Sequence, residues 1–363
     1  MSYARPSRRR ILAVGAGAAA AAALGGPAVA QGRSRITVVT GGTGGVFYPY
    51  GGGLAKILTE KAPNMQANAQ VTGGSVDNVK LVHAGDAEIG FATLDSAYEG
   101  LQGQGAYAKE GKQDIRVLAV LYDSFMHVCA SQPSGAATVA DLKGKRVSVG
   151  SAGSSTESIA DRVLEGAGLD PRKDVTRDNL GVAESAGAMK DGKIAAFFWI
   201  GGIPTAAVRD LATTGQPPIR FISTQRELAA MEAKFPGLYR PFLLPKAAYA
   251  GMTEDVPGLG VANVLVVPAK APEALITTVL NGIFDNLEEV QKLHPEARKL
   301  SLQTAAARTA VPFHPAAEAF YKGKGAGGEG RQRPRGSRLS LRSAEDDGVR
   351  GTPECAKRPR RSS

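Results

Sequence analysis

Residues 36–58 read ITVVTGGTGGVFYPYGGGLAKIL: an apolar strand, a glycine-dense turn carrying Thr43 and Tyr48, then a helix. A strand that feeds a glycine turn at a helix N-terminus builds an anion pocket out of backbone. Glycine lets the main chain approach a ligand closely, and the N–H groups of the first helical turn point outward without intrahelical acceptors.

Two further turns of this kind follow, VTGGSVDNVKLV at 71–82 and VSVGSAGSSTESIADRVLEGAGL at 147–169. Each places hydroxyls or amides at a helix N-terminus, and three such ends converging would hold a carboxylate without an arginine. Nucleotide motifs do not fit. Gly42-Thr43-Gly44 begins a G-x-G-x-x-G, but Phe47 occupies the last position, where a ring would crowd helix packing, and no G-x-x-x-x-G-K-[ST] occurs. Ser154-Ser155-Thr156 has no His or Lys motif beside it to activate a hydroxyl. Glu157 and Asp161, four apart on one helix, read as a solvated face rather than an acid/base pair.

Strand and helix patterns alternate along the chain, which predicts an α/β architecture with largely parallel sheets. Strands are expected at 36–40, 69–72, 89–93, 117–122, 127–130, 146–150, 195–199, 220–222 and 261–267. Helices are expected at 50–62, 75–84, 95–102, 155–167, 185–191, 205–213, 226–234 and 272–293. Ser75 followed by Asn78 reads as an N-cap, as does Ser155 with Ser158 on the next turn, and Gly168 after Ala167 reads as a helix stop. About 290 residues between the two ends exceed one comfortable core, so two lobes are expected.

The ends differ from this body. Residues 1–30 read as an export signal: a basic segment with Arg5, Arg8, Arg9 and Arg10, an alanine-rich apolar run, and Ala28-Val29-Ala30 as a small-x-small cleavage site. The arginine run fits the twin-arginine route, and cleavage after Ala30 would deliver the chain to the periplasm. From about Gly323, residues 323–363 are rich in Gly, Arg, Ser and Pro and poor in large apolar residues, a composition expected to stay disordered.

Charge follows the same division. The formal net charge is +10, but four arginines lie in the signal, and the tail carries eleven basic against five acidic residues. Residues 31–322 are left net neutral, so the body presents no bulk electrostatic case for nucleic acid or an anionic membrane. Cys129 reads as a buried free thiol and Cys355 as a tail thiol; the four histidines lack ligand-type spacing, so neither metal nor cofactor is expected. His127 reads as a hydrogen-bonded structural histidine. Trp199, the single tryptophan, ends a strand, where core packing and lining a cleft are equally open.

Taken in order, GGTGGVFYPYGG, GGSVDNVKLV, AEIGFATLDSAYEG, DLKGKRVSVGSAGSST, MKDGKIAAFFWIGGIPT, EDVPGLGVANVLVV, HPEARKLSL and PFHPAAEAFY resemble the TAXI family of extracytoplasmic solute-binding proteins, the receptor subunits of TRAP transporters, from about Ile36 to Tyr321. The resemblance implies a type II-like, two-lobed periplasmic-binding-protein fold with a hinge. Such a receptor closes over a small organic acid or amino acid, glutamate-like, 2-oxoacid or dicarboxylate, and delivers it to TRAP-type membrane permease subunits. It implies a monomeric binder rather than an enzyme. Lobe one would be residues 36–122 plus 262–322, and lobe two 123–261, with 117–122 and 261–267 crossing between them.

Carried onto this chain, the first turn would contribute Gly44, Gly45 and Tyr48 beside Thr43, the second Ser75 and Asn78, and the third Ser151, Ser154, Ser155 and Thr156. Trp199 and Gly201 would line the back of the cleft. Where relatives often carry Gln, this chain has Thr93, which shortens one polar contact to the ligand's distal group. The rival readings are an exported hydrolase or transferase using the serine-rich turn, and a two-lobed ligand-sensing effector domain.

Overall fold

A computed structural model describes residues 33–326. The export-signal reading and the tail beyond Ala326, with Cys355, lie outside the described residues. The chain opens with β1 (Ser34–Val39), α1 (Phe47–Lys61), β2 (Met65–Gln70), α2 (Ser75–Ala84), β3 (Ile89–Thr93) and α3 (Leu94–Gln102). A 17-residue strand, β4 (Ile115–Ser131), leads into β5 (Arg146–Ser148), α4 (Ser155–Gly166), β6 (Thr176–Asp178), α5 (Val182–Lys190), β7 (Ala196–Gly201), α6 (Ala206–Thr214), β8 (Ile219–Phe221), α7 (Gln225–Lys234) and β9 (Tyr239–Leu244). The chain returns through β10 (Val256–Pro268) and ends in α8 (Glu273–Phe284), α9 (Leu287–Gln291), α10 (Leu302–Ala305) and α11 (Pro315–Gly323).

The ten strands form one sheet, ordered β2-β1-β3-β10-β4-β7-β5-β6, with β8 on β4 and β9 on β10. The α/β expectation holds, but the sheet is mixed. It is parallel where strand and helix alternate, at β2-β1-β3 and at β7-β5-β6. It is antiparallel wherever β4 or β10 takes part. The reason is length. These two strands are long enough to serve both sides of the sheet, so one carries the chain across and the other carries it back. The expected strands 117–122 and 127–130 are one continuous β4. Between β4 and β10 the register slips at Ala262/Val264 and Leu265/Val266. There the buried Asn263 amide donates to Tyr122 O (3.1 Å) and Ser124 Oγ (2.8 Å), which satisfies polar groups that the slip leaves off the ladder.

Packing overrides local preference in α1. Glycine lowers helix propensity, and Gly51-Gly52-Gly53 sits inside the helix. The helix nevertheless starts three residues earlier than expected, at Phe47. A Cβ on Gly51 would lie 2.4 Å from Thr40 Cγ2 and 3.0 Å from Phe91, so the bare backbone is what lets α1 lie on β1 and β3. Phe47 and Tyr50 then pack on the Phe91 ring at 5.2 and 5.6 Å between centroids. Two helices start where the sequence places them, at Ser75 and Ser155, but the cap positions lie one residue earlier, at Gly74 and Ser154. Ser154 Oγ accepts from Glu157 N at 3.3 Å, a side-chain cap that a phase slip of one residue conceals in the run Ser154-Ser155. The expected helix 272–293 is broken into α8 and α9, and β6, β9, α10 and α11 were not legible as elements.

Candidate functional site

The glycine and serine turns meet at one cavity of about 60 Å³ in the middle of the sheet, beside the crossing strands. Its wall on the β1–β3 side is the first glycine turn, Gly41 to Phe47, with Gly73, Gly74, Ser75 and Thr93. The facing wall is Ser151, Ser154, Ser155 and Thr156 from the start of α4, Gly181 to Glu184 from the start of α5, and Trp199 to Gly201 at the end of β7. Tyr122 and Ser124 on β4 form the floor.

Hydrogen bonds join the two walls directly. Ser75 Oγ lies 3.1 Å from Ser155 Oγ, and Ser151 Oγ donates to Gly73 O at 2.8 Å. The N–H groups of Val76 and Asp77 both donate to Gly153 O at 3.1 Å. That carbonyl occupies the first turn of α2, so this end offers less to an anion than its sequence suggests. First-turn residues of α1 (Phe47), α4 (Ser155 and Thr156) and α5 (Val182 to Glu184) line the cavity, so α5 takes the place of α2 as the third helix N-terminus there.

Among the expected contacts, Thr43, Gly44, Gly45, Ser75, Ser151, Ser154, Ser155, Thr156, Trp199 and Gly201 all line the cavity. Two do not. Tyr48 is in the first turn of α1 with its ring exposed, because the helix begins at Phe47 and turns that position outward. Asn78 is fully buried one layer behind the wall. Its amide donates to Thr40 O (2.5 Å) and Phe91 O (2.7 Å) and accepts from Thr72 Oγ1 (2.6 Å), so it fixes the turn and has nothing left for a ligand.

Trp199 resolves toward the cleft. Its half-buried ring closes over Gly45, where a Cβ would come within 2.8 Å of Cη2. A hydrogen-bond chain holds the indole in place. Trp199 Nε1 donates to Thr205 Oγ1 (2.9 Å), Thr205 N donates to Tyr249 OH (2.9 Å), and Tyr249 OH lies 2.9 Å from His127 Nε2. His127 is buried behind the cavity wall, and burial pushes its pKa down to about 4, so the ring is neutral and accepts the tyrosine proton.

Sequence reading missed the Gly181–Glu184 wall and the Tyr122–Ser124 floor. The first was legible in principle, since Gly181 precedes a helix with Glu184 at its third position, but the expected helix began at Ser185. The floor carried no signal, because a residue inside an apolar strand does not announce which face opens on a cavity.

The cavity has an uneven chemical inventory. Among the described residues its lining has no Lys, Arg or His, and Glu184 at the rim is the single carboxylate. Thr93 Oγ1 and Tyr122 OH are buried at it without a hydrogen-bond partner among the described residues. Orphaned buried hydroxyls are rare in folded proteins and cost free energy unless something else satisfies them.

A second set of contacts joins the same two sides away from the cavity. Arg162 on α4 pairs with Asp95 (3.0 Å) and Glu99 on α3, and Tyr239 OH donates to Asp95 at 2.7 Å. The guanidinium stacks 4.3 Å from the Phe235 ring centre. All three charged side chains are largely buried.

Fold and site together describe an α/β protein with a small polar cleft between two β/α units joined by long crossing strands. The chain belongs to the NMT1-like family, whose model matches residues 38–325. Among solved structures, it is similar to a protein of Bordetella bronchiseptica RB50 (21% identity over 74% of this chain and 77% of that one, TM-score 0.48). It is also similar to the periplasmic aliphatic sulphonate-binding protein SsuA of Escherichia coli (16%, 80% and 90%, TM-score 0.42). A binding-protein component of an ABC phosphonate transporter from Pseudomonas aeruginosa is a third (11%, 73% and 79%, TM-score 0.49).

Proposed function

We propose that this protein is an extracytoplasmic solute-binding receptor. It captures a small organic anion by closing two lobes, residues 36–122 plus 262–322 and residues 123–261, and hands it to a membrane permease. The carrying observation is the convergence of the α1, α4 and α5 N-termini with serine and threonine hydroxyls on a cavity with no cation among its described lining residues. Oriented N–H groups solvate a carboxylate with little reorganisation, and they do so only when both walls are present. Ligand therefore favours the closed state by differential affinity, with β4 and β10 as the hinge. The TAXI resemblance supports a TRAP-type permease as the partner, and glutamate-like, 2-oxoacid and dicarboxylate compounds as the ligand classes to try. The export signal read at residues 1–30 supports a periplasmic location, and a monomer is the working assembly.

An enzyme is the weaker reading. The Ser155 hydroxyl faces the Ser75 hydroxyl, and the lining supplies no histidine or lysine to activate it. The test is native mass spectrometry of the purified protein, followed by thermal melts with a panel of carboxylates. A co-purifying acid, or a melting shift of several degrees with one panel member, is expected. No shift with any acid or amino acid overturns the anion reading.

A further inference from the structure

The cavity has two chemically different ends. One is the set of helix N-termini. The other is a hydroxyl floor built by the crossing strands: Thr93 closes β3, directly opposite Asn263 on β10, and Tyr122 and Ser124 lie on β4 at the register slip. Thr93 is 1% and Tyr122 4% exposed, and neither hydroxyl has a hydrogen-bond partner among the described residues. Ser124 Oγ accepts from the Asn263 amide at 2.8 Å, which leaves its own proton to donate.

The charges around this floor are acidic. Glu296 packs with Tyr122 against Gly202, where a Cβ would lie 2.6 Å from Glu296 Cγ and 3.0 Å from Tyr122 Cε2. Its carboxylate is held by Ile203 N (2.7 Å) and Lys299 Nζ (2.5 Å), so that lysine is already engaged. The remaining carboxylate, Glu184, is at the rim.

Resting on the anion-receptor reading above, we infer that the ligand is a compact monoanion: one carboxylate for the helix ends, and one uncharged hydroxyl or keto group within a few bonds for the Thr93–Tyr122–Ser124 floor. A second carboxylate there would be stripped of water against neutral hydroxyls and beside an acid, with no free cation among the described lining residues to meet it. A hydroxyl or keto oxygen satisfies the orphaned groups and carries no such penalty. The cavity volume agrees, since a single water needs about 10–15 Å³ and the whole cavity is about 60 Å³. Thr93 and Tyr122 are thereby specificity residues.

Titration calorimetry on the full chain tests this with butyrate and two matched pairs, 2-hydroxybutyrate with malate and 2-oxopentanoate with 2-oxoglutarate. The hydroxy or oxo monocarboxylate is expected to bind about tenfold or more tighter than its dicarboxylate counterpart. Thr93→Val and Tyr122→Phe should each weaken the hydroxy or oxo acid about three- to tenfold and leave butyrate within about twofold. Because Thr93 Oγ1 has no hydrogen-bond partner among the described residues and Tyr122 OH has at most the neighbouring Ser124 hydroxyl, Thr93→Val should melt at or above the parent temperature and Tyr122→Phe within a few degrees of it, which separates lost recognition from lost folding. Tighter binding of malate or 2-oxoglutarate overturns the inference while the receptor reading stands. Equal losses for butyrate and the substituted acids also overturn it. Binding of no acid overturns the anion reading, and this inference with it.

Discussion

The hydroxyl oxygens of Ser75 and Ser155 lie 3.1 Å apart across the cleft, although eighty residues separate them in the chain. Each is the first residue of a helix, so their approach brings two helix N-termini to one point. Two positive helix ends meeting this way is unfavourable by itself. The arrangement is stabilised by the Gly153 carbonyl accepting from α2, by the Arg162 cluster, and by any anion between the walls.

Removing both hydroxyls, Ser75→Ala with Ser155→Ala, should weaken the bound ligand about tenfold while changing melting by no more than a few degrees. Ser75 Oγ also accepts from Thr93 N at 3.1 Å, so the double variant loses two hydrogen bonds of about 0.5–1.5 kcal/mol each, while Ser151 to Gly73 O and the Gly153 carbonyl still join the walls. Calorimetric titration beside a melt checks it; an unchanged affinity would place the ligand elsewhere.

Gly45 is the position where the first turn meets the tryptophan. Gly45→Val should push Trp199 into the cavity, abolish measurable binding and shift the emission maximum. In the parent protein, ligand should change emission from this lone tryptophan, since it lines the cavity. Steady-state fluorescence reads both effects, and silence of the indole on binding would contradict the assignment.

Arg162 neutralises Asp95 and Glu99 where all three are largely buried. Arg162→Met should destabilise by about 3–5 kcal/mol, because two carboxylates lose their cation inside the protein. Burial already raises the Glu99 pKa, despite the lowering effect of Arg162. Without the cation it rises further, so the folded variant binds more protons than the unfolded chain and loses stability as pH increases through the folded value. Urea unfolding at pH 5 and pH 8 should show the larger deficit at pH 8.

His127 supplies the opposite sign. Its pKa falls from 6.5 to about 4 in the folded protein, so between those values the unfolded chain binds more protons. Stability from this residue is complete above pH 6.5 and is lost as pH falls to about 4, a change of about 3 kcal/mol. His127→Gln removes that part of the acid sensitivity. Comparing the pH dependence of urea midpoints for parent and variant isolates it from carboxylates titrating in the same range; parallel curves would refute it.

Alternation of strand and helix, the three Gly/Ser turns and the hydroxyl-rich helix starts were legible in the chain, because periodicity, caps and glycine turns act over a few neighbouring residues. Local order therefore reached most of the cavity wall, including Gly44, Gly45, Ser154, Ser155 and Thr156. Tertiary contact decided the rest. Only packing on Thr40 and Phe91 carries α1 back to Phe47 and turns Tyr48 outward, and only the surroundings of Asn78 show its amide fully spent. The long antiparallel crossing of β4 and β10 brings Thr93, Tyr122 and Ser124 to one floor. A side chain's hydrogen-bond partners depend on segments distant in sequence, so no local pattern could reveal that two of those hydroxyls are left without one among the described residues.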